Sequence, residues 1–129
     1  MVTMAAVPAK RGRRPALPRP LSTSERASSV IGMLGGTRKV AEFLRVSPSQ
    51  PSRWRSGQEE PAPENARALL DLDHVLARLR LLYTLDVAHA WLTGSNAHLG
   101  GARPIDVLVT RGASEVIDAL DATMAGAFA

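Results

Sequence analysis

The chain has 129 residues, 16 of them Lys or Arg and 12 Asp or Glu, with a formal net charge of +4. It has no cysteine, which excludes a disulfide scaffold, a cysteine-ligated zinc site and a thiol nucleophile. Its apolar runs fall far short of the ~20 residues that span a bilayer, and aromatic residues make up only 4% of it. A core of Leu, Val and Ala favours helices over sheets, and the chain reads as a small soluble intracellular protein.

Residues 1–26 carry six bases and one acid, and four of the nine prolines (Pro8, Pro15, Pro18 and Pro20) lie there. Such a stretch buries too little apolar surface to offset its ordering entropy, so a disordered basic tail is expected over 1–26. It suits a basic arm adding phosphate contacts, or a merely solvated tail. Its Arg-rich, acid-poor composition also suits a transit peptide, although no clear amphipathic helix or secretory apolar region accompanies it.

Ser22 or Ser24 can cap a first helix carrying Val30, Ile31, Met33 and Leu34, stopped by Gly35-Gly36. Thr37 then caps a second helix, Arg38 to about Leu44. After a turn at Arg45-Val46, Ser47 is a candidate cap, Pro48 a first helical residue and Gln50 the return partner of a capping box. This third helix ends at Gly57. Pro51 would be its fourth residue, where a missing N–H and a ring clash are costly. The alternative is a helix beginning at Pro51 and capped by Ser49 or Gln50.

Beyond Pro61 and Pro63, a long helix is expected from about Glu64 to Thr84, with Ala66, Leu69, Leu72, Leu76, Leu79 and Leu82 at steps of three and four. Asp86 can cap a short helix ending at Leu92, and Gly94, Gly100 and Gly101 suit turns with positive φ. Pro104 opens another helix with Ile105, Val107 and Leu108. Ser114 caps the last, Glu115 to about Met124. No segment alternates like a strand for long.

Charge follows this division. Residues 37–58 hold five bases and one acid, whereas residues 59–129 hold five bases and ten acids. One end suits a polyanion and the other does not, which excludes a uniformly basic nucleic-acid coat. The basic part, residues 28–58, has a helix-turn-helix pattern. A recognition helix needs hydrogen-bonding side chains at base edges. Ser47, Ser49, Gln50, Ser52, Arg53 and Arg55 supply them, and Arg38 and Lys39 open the second helix where backbone phosphates would lie. Val40, Ala41, Leu44 and Val46 are the apolar residues that hold the pair together. Trp54 is read as a packing anchor rather than a base-stacking ring.

Enzymatic readings find little support. His74, His89 and His98 lie far apart with no ligand spacing, Asp71, Asp73 and His74 read as solvated helix residues, and neither Gly35-Gly36-Thr37 nor Ser56-Gly57 is a phosphate loop. No metal and no cofactor is expected.

The run Arg53-Trp54-Arg55-Ser56-Gly57, then Pro61, Glu64-Asn65-Ala66-Arg67 and Leu69-Leu70-Asp71-Leu72, resembles the MbcA/ParS/Xre antitoxin family. A more specific pattern follows: Trp91-Leu92, Gly94, Asn96, Leu99-Gly100-Gly101, Arg103-Pro104, Asp106-Val107-Leu108, Gly112, Glu115-Val116 and Ala119-Leu120. Together with the helix-turn-helix part, the resemblance covers residues 28–124. At Pro51 this sequence departs from the family's usual branched apolar residue.

The resemblance implies an all-α protein: an Xre-like helix-turn-helix domain over 27–60, then a small helical toxin-binding and dimerisation domain over 61–129. It implies an antitoxin of a type II toxin–antitoxin system that binds and sterically neutralises a RES-domain, NAD-degrading toxin. It further implies a cytoplasmic homodimer within a larger toxin–antitoxin complex, which binds operator DNA and represses its own operon. Trp91, Asn96, Arg103, Met124, Phe128 and Ala129 are the toxin-binding candidates, with the end of the chain projecting over the toxin's substrate cleft. A stand-alone helix-turn-helix regulator and an adaptor that binds protein but no DNA are the competing readings.

Overall fold

A computed structural model describes residues 19–127, except the Ala127 side chain. Among the described residues there are seven α-helices and no strand: α1 (Thr23–Leu34), α2 (Thr37–Leu44), α3 (Gln50–Ser56), α4 (Pro63–Leu79), α5 (Leu85–Thr93), α6 (Pro104–Arg111) and α7 (Ser114–Ala127), with a 3-10 turn at Ala97–Leu99. The all-α expectation is met.

Local chemistry sets most of these boundaries. Ser22 and Glu25 form a complete capping box at the start of α1, the hydroxyl accepting from the Glu25 N–H and the carboxylate from the Ser22 N–H. The helix therefore takes up Thr23–Arg26 from the stretch expected to be tail; residues 1–18 lie outside the described part. At its other end Gly35 is left-handed, and the Gly36 N–H returns to the Ile31 carbonyl at 3.0 Å.

The same closing device ends α2, but there the left-handed residue is Arg45, at φ 58°. The Val46 N–H bonds the Ala41 carbonyl at 3.1 Å. A turn then leads to α3, which starts at Gln50 rather than Pro48. Pro51 thus lies in the first helical turn, where its missing N–H breaks no helical bond, and its ring is buried. One half of the expected capping box survives, since Gln50 Oε1 accepts from the Ser47 N–H at 3.1 Å.

Leu69, Leu72, Leu76 and Leu79 line the buried face of α4 as their spacing predicts. The helix ends at Leu79, however, and not near Thr84. The Tyr83 N–H folds back to the Leu79 carbonyl at 2.9 Å, and Thr84 rather than Asp86 caps α5, its hydroxyl accepting from the Val87 N–H. Leu82 consequently sits partly in solvent.

One buried apolar cluster runs through both halves of the chain, from Ala27 to Leu120, with Trp54 and the α4 leucines at its centre. Helix α1 packs on α3 and α4, α2 packs on α3 and α6, and α6 also packs on α4, α5 and α7. Partly buried Arg26 and Ser29 on α1 reach Asp73 on α4 at 2.9 and 3.0 Å. No helix among the described residues is long and apolar enough to cross a membrane.

Candidate functional site

Two surfaces carry the residues of interest. The first is built by α2, the turn and α3. Arg38 and Lys39 are exposed in the first turn of α2. Arg38 also lines a groove of about 430 Å³ beside the turn, together with Glu42, Arg45 and Pro48. Ser47, Ser49, Ser52 and Arg55 are exposed, whereas Gln50 and Arg53 are half-buried. Arg38, Lys39 and Arg55 form no ion pair among the described residues. Three uncompensated cations on two packed helices form a surface suited to phosphates.

Trp54 takes no part in that surface. It is 1% exposed and packs in the core, as an anchor residue would.

Gln50 and Arg53 are held by an acid that the sequence did not single out. Glu59 Oε1 accepts from Arg53 Nε at 2.8 Å, and Oε2 accepts from Gln50 Nε2 and Trp54 Nε1, each at 3.1 Å. Gln50 first and then Arg53 hold the Glu59 carboxyl below its ordinary range. Arg53 Nη1 also donates to Ser49 Oγ at 2.7 Å.

The second surface lies at α5–α7, where the residues expected to bind toxin divide into two kinds. Trp91 and Asn96 are committed to the fold. The Trp91 indole N–H donates to Thr123 Oγ1 at 3.2 Å, joining α5 to α7. Asn96 Oδ1 accepts from the His98 N–H at 2.9 Å, and the Asn96 carbonyl accepts from the Gly101 N–H at 2.8 Å, which closes the loop. Gly100 and Gly101 have positive φ as expected, whereas Gly94 does not, at φ −87°. Space is tight at Gly94 instead: a Cβ there would lie 3.0 Å from the Ala90 carbonyl oxygen.

Arg103 is half exposed and clasps Asp106 with two nitrogens, Nε to Oδ2 at 2.8 Å and Nη2 to Oδ1 at 2.9 Å. Asp106 also accepts from Arg45 Nη2 at 2.8 Å, so a single carboxylate joins the turn before α3 to the start of α6. Arg103 first, and Arg45 after it, hold the Asp106 carboxyl below its usual range, and Asp106 raises Arg103 in return. Met124 is half-buried against the core, near the Arg78 guanidinium. Phe128 and Ala129 lie outside the described residues.

Besides Glu59, which the sequence does not single out, Asp106 and Arg67 stand there only as part of the family pattern, without these roles. The Arg67 guanidinium reaches from α4 to the last carbonyls of α6, those of Leu108 at 3.3 Å and Val109 at 3.1 Å. The Leu108 carbonyl already accepts from the Gly112 N–H, so the bond to Val109 supplies a partner otherwise missing among the described residues, and a cation at a helix C-terminus interacts favourably with the helix dipole.

These features define an all-helical protein in which a basic helix-turn-helix arrangement shares its core with a C-terminal helical unit. Residues 71–126 match the model of the antitoxin Xre/MbcA/ParS C-terminal toxin-binding domain. The structure is similar to a chain of the M. tuberculosis MbcT–MbcA toxin–antitoxin complex, with 26% identity and a TM-score of 0.69, covering 85% of this chain and all of that one. No curated protein matches the sequence. The C-terminal helices are thus similar to the toxin-binding domain of Xre/MbcA/ParS antitoxins, and the fold as a whole is similar to that of a chain from a toxin–antitoxin complex.

Proposed function

We propose that this chain is the antitoxin of a type II toxin–antitoxin pair: a non-enzymatic protein that binds its cognate toxin through α5–α7 and DNA through α2 and α3. The match of residues 71–126 to a toxin-binding domain carries the reading. The solved relative, described as part of a toxin–antitoxin complex, supports it along its whole length. The proposed toxin is of the RES class and degrades NAD, and inhibition is steric, with the end of α7 and the residues after it filling the substrate cleft. Arg103, exposed beside Pro104, is the polar group offered to the toxin. The antitoxin acts as a homodimer on paired operator half-sites and represses its own operon. Exposed Leu70 and Leu81 are available for the dimer contact.

DNA binding follows from charge. Arg38, Lys39 and Arg55 contact phosphates, so binding to the DNA upstream of the gene weakens with salt, and removing any one of them flattens the log–log salt slope by about one unit.

The test is co-expression with the product of the adjacent gene, scoring growth and cellular NAD. The reading requires that the neighbour be toxic alone, that this chain restore growth and NAD, and that deletion of residues 122–129 abolish the rescue. A neighbour that is harmless alone, or remains toxic beside this chain, rejects the antitoxin and leaves a stand-alone helix-turn-helix regulator.

A further inference from the structure

Glu59 lies outside the DNA-facing helix, yet it holds three of that helix's side chains, Gln50, Arg53 and Trp54. Gly57, left-handed at φ 82°, turns the chain back at the end of α3. The Glu59 N–H then bonds the Arg53 carbonyl at 3.2 Å. The carboxylate is thereby fixed at both ends: its backbone is tied to α3, and Oε2 accepts from the indole of Trp54, which is itself core. A carboxylate so anchored is a rigid support and not a mobile counter-ion.

Its effects on the two readers differ. Gln50 is occupied at both ends of its amide, Oε1 by the Ser47 N–H and Nε2 by Glu59. Bidentate recognition of adenine needs the oxygen and an N–H turned together to one base edge; the lone pair and the proton that Gln50 keeps lie in the orientation that Ser47 and Glu59 set. Arg53 is held along its Nε side by Glu59, and Ser49 takes one Nη1 proton. The remaining protons of Nη1 and Nη2 form the free edge, which is the pair of donors that matches guanine O6 and N7.

We propose that Glu59 is a positioning residue for sequence readout: it holds the Gln50 amide in one orientation and fixes Arg53 to read a guanine in the major groove. The proposal rests on the DNA-binding reading above and goes beyond it by naming the base and the residue that sets it. Glu59 contributes geometry and no affinity, because its negative charge opposes DNA.

The experiment compares the homologous DNA upstream of the gene with a scrambled duplex of equal length, using full-length protein. Wild type prefers the upstream DNA, and replacing one G·C pair within the protected half-site abolishes the preference. Glu59→Gln lowers the upstream-to-scrambled affinity ratio at least tenfold while scrambled binding stays equal or tightens. Arg53→Lys, which leaves Glu59 bonded to Trp54, loses the same preference, and the double variant loses no more than either single one. If Glu59→Gln fails to fold by circular dichroism, Arg53→Lys and the G·C replacement still decide. Equal tightening on both duplexes in Glu59→Gln would show that Glu59 is only an unfavourable charge, and it overturns the proposal. So does retention of the preference by Arg53→Lys. A wild-type protein with no preference rejects operator recognition itself, a separate failure from a wild-type preference that the Glu59 variant leaves intact.

Discussion

At residue scale the N-terminal end of α1 is an electrostatic unit. The Arg19 guanidinium first, and then the backbone and hydroxyl of Ser22, lower the Glu25 pKa from 4.5 to about 2. A carboxylate depressed in the folded state contributes stability above its unfolded pKa and loses it as pH falls through the folded one. The carboxylate's share of the cap is therefore complete above about pH 4.5 and is lost as pH falls toward about 2, while the Ser22 hydroxyl's share does not titrate. Carboxyl NMR titration of Glu25 is expected to show that low midpoint, and Ser22→Ala raises it while costing about 1 kcal/mol in chemical denaturation. Gly112 presents a backbone case. Its φ of 97° suits no L side chain, and an added Cβ would sit 3.3 Å from Arg67 Nη1, the group that closes α6. Gly112→Ala is expected to cost about 1–3 kcal/mol, read as a lower urea midpoint at unchanged slope. A midpoint equal to wild type would mean that the turn relaxes without disturbing Arg67.

At the scale of elements, the helices and their faces were legible wherever a cap and an apolar period agreed. The Ser22 cap (one of the two serines offered for it), the Gly35 stop, the leucine ladder of α4 and the Pro104 start all lie where the residues indicate. Errors arose where two local signals competed. Leu82 prolongs the α4 stripe on paper, and Asp86 is by type the better cap, but the chain turns at Tyr83 and it is the Thr84 hydroxyl that accepts from the Val87 N–H. Pro51 looked disruptive because Ser47-Pro48 offered an earlier start; burial of the ring and a start at Gln50 make it an ordinary first-turn proline that also fills an apolar position. Among the candidate site residues, the basic ones on α2 and α3 were readable from charge. Glu59 was not, because Glu59 and Glu60 are equivalent in sequence and only the turn at Gly57 decides which faces α3. Nor did spacing reveal Asp73, which accepts from both Arg26 and Ser29 across 47 and 44 residues. Its side chain is 17% exposed and that of Arg26 20%, so the pair is dry enough to matter. Asp73→Ala leaves the Arg26 charge unmatched between α1 and α4 and is expected to cost about 1–2 kcal/mol, lowering Tm by several degrees.

At the scale of the whole molecule, one core underlies both surfaces. Helix α1 buries Ala27, Val30 and Ile31 in the same cluster as the α4 leucines. Phe43 of α2 lies 5.2 Å, centroid to centroid, from the His89 ring of α5. The Arg45–Asp106–Arg103 cluster adds a polar tie between the turn and α6. A helix-turn-helix that shares its apolar residues with the helices beside it has no separate core to lose, so it melts with them. The two tryptophans make this testable, since Trp54 reports the basic half and Trp91 the acidic half. In Trp91→Phe and in Trp54→Phe the remaining indole is expected to follow the far-ultraviolet circular dichroism of its own variant, with one urea midpoint and one slope for both probes. A fluorescence transition of Trp54 that precedes loss of helicity would instead identify a basic half that opens while the acidic half stays folded. Coincidence has a functional consequence: whatever binds α5–α7 and stabilises them raises the free energy of opening α2 and α3 by the same amount, because mass action on a single folded state does not distinguish its two ends.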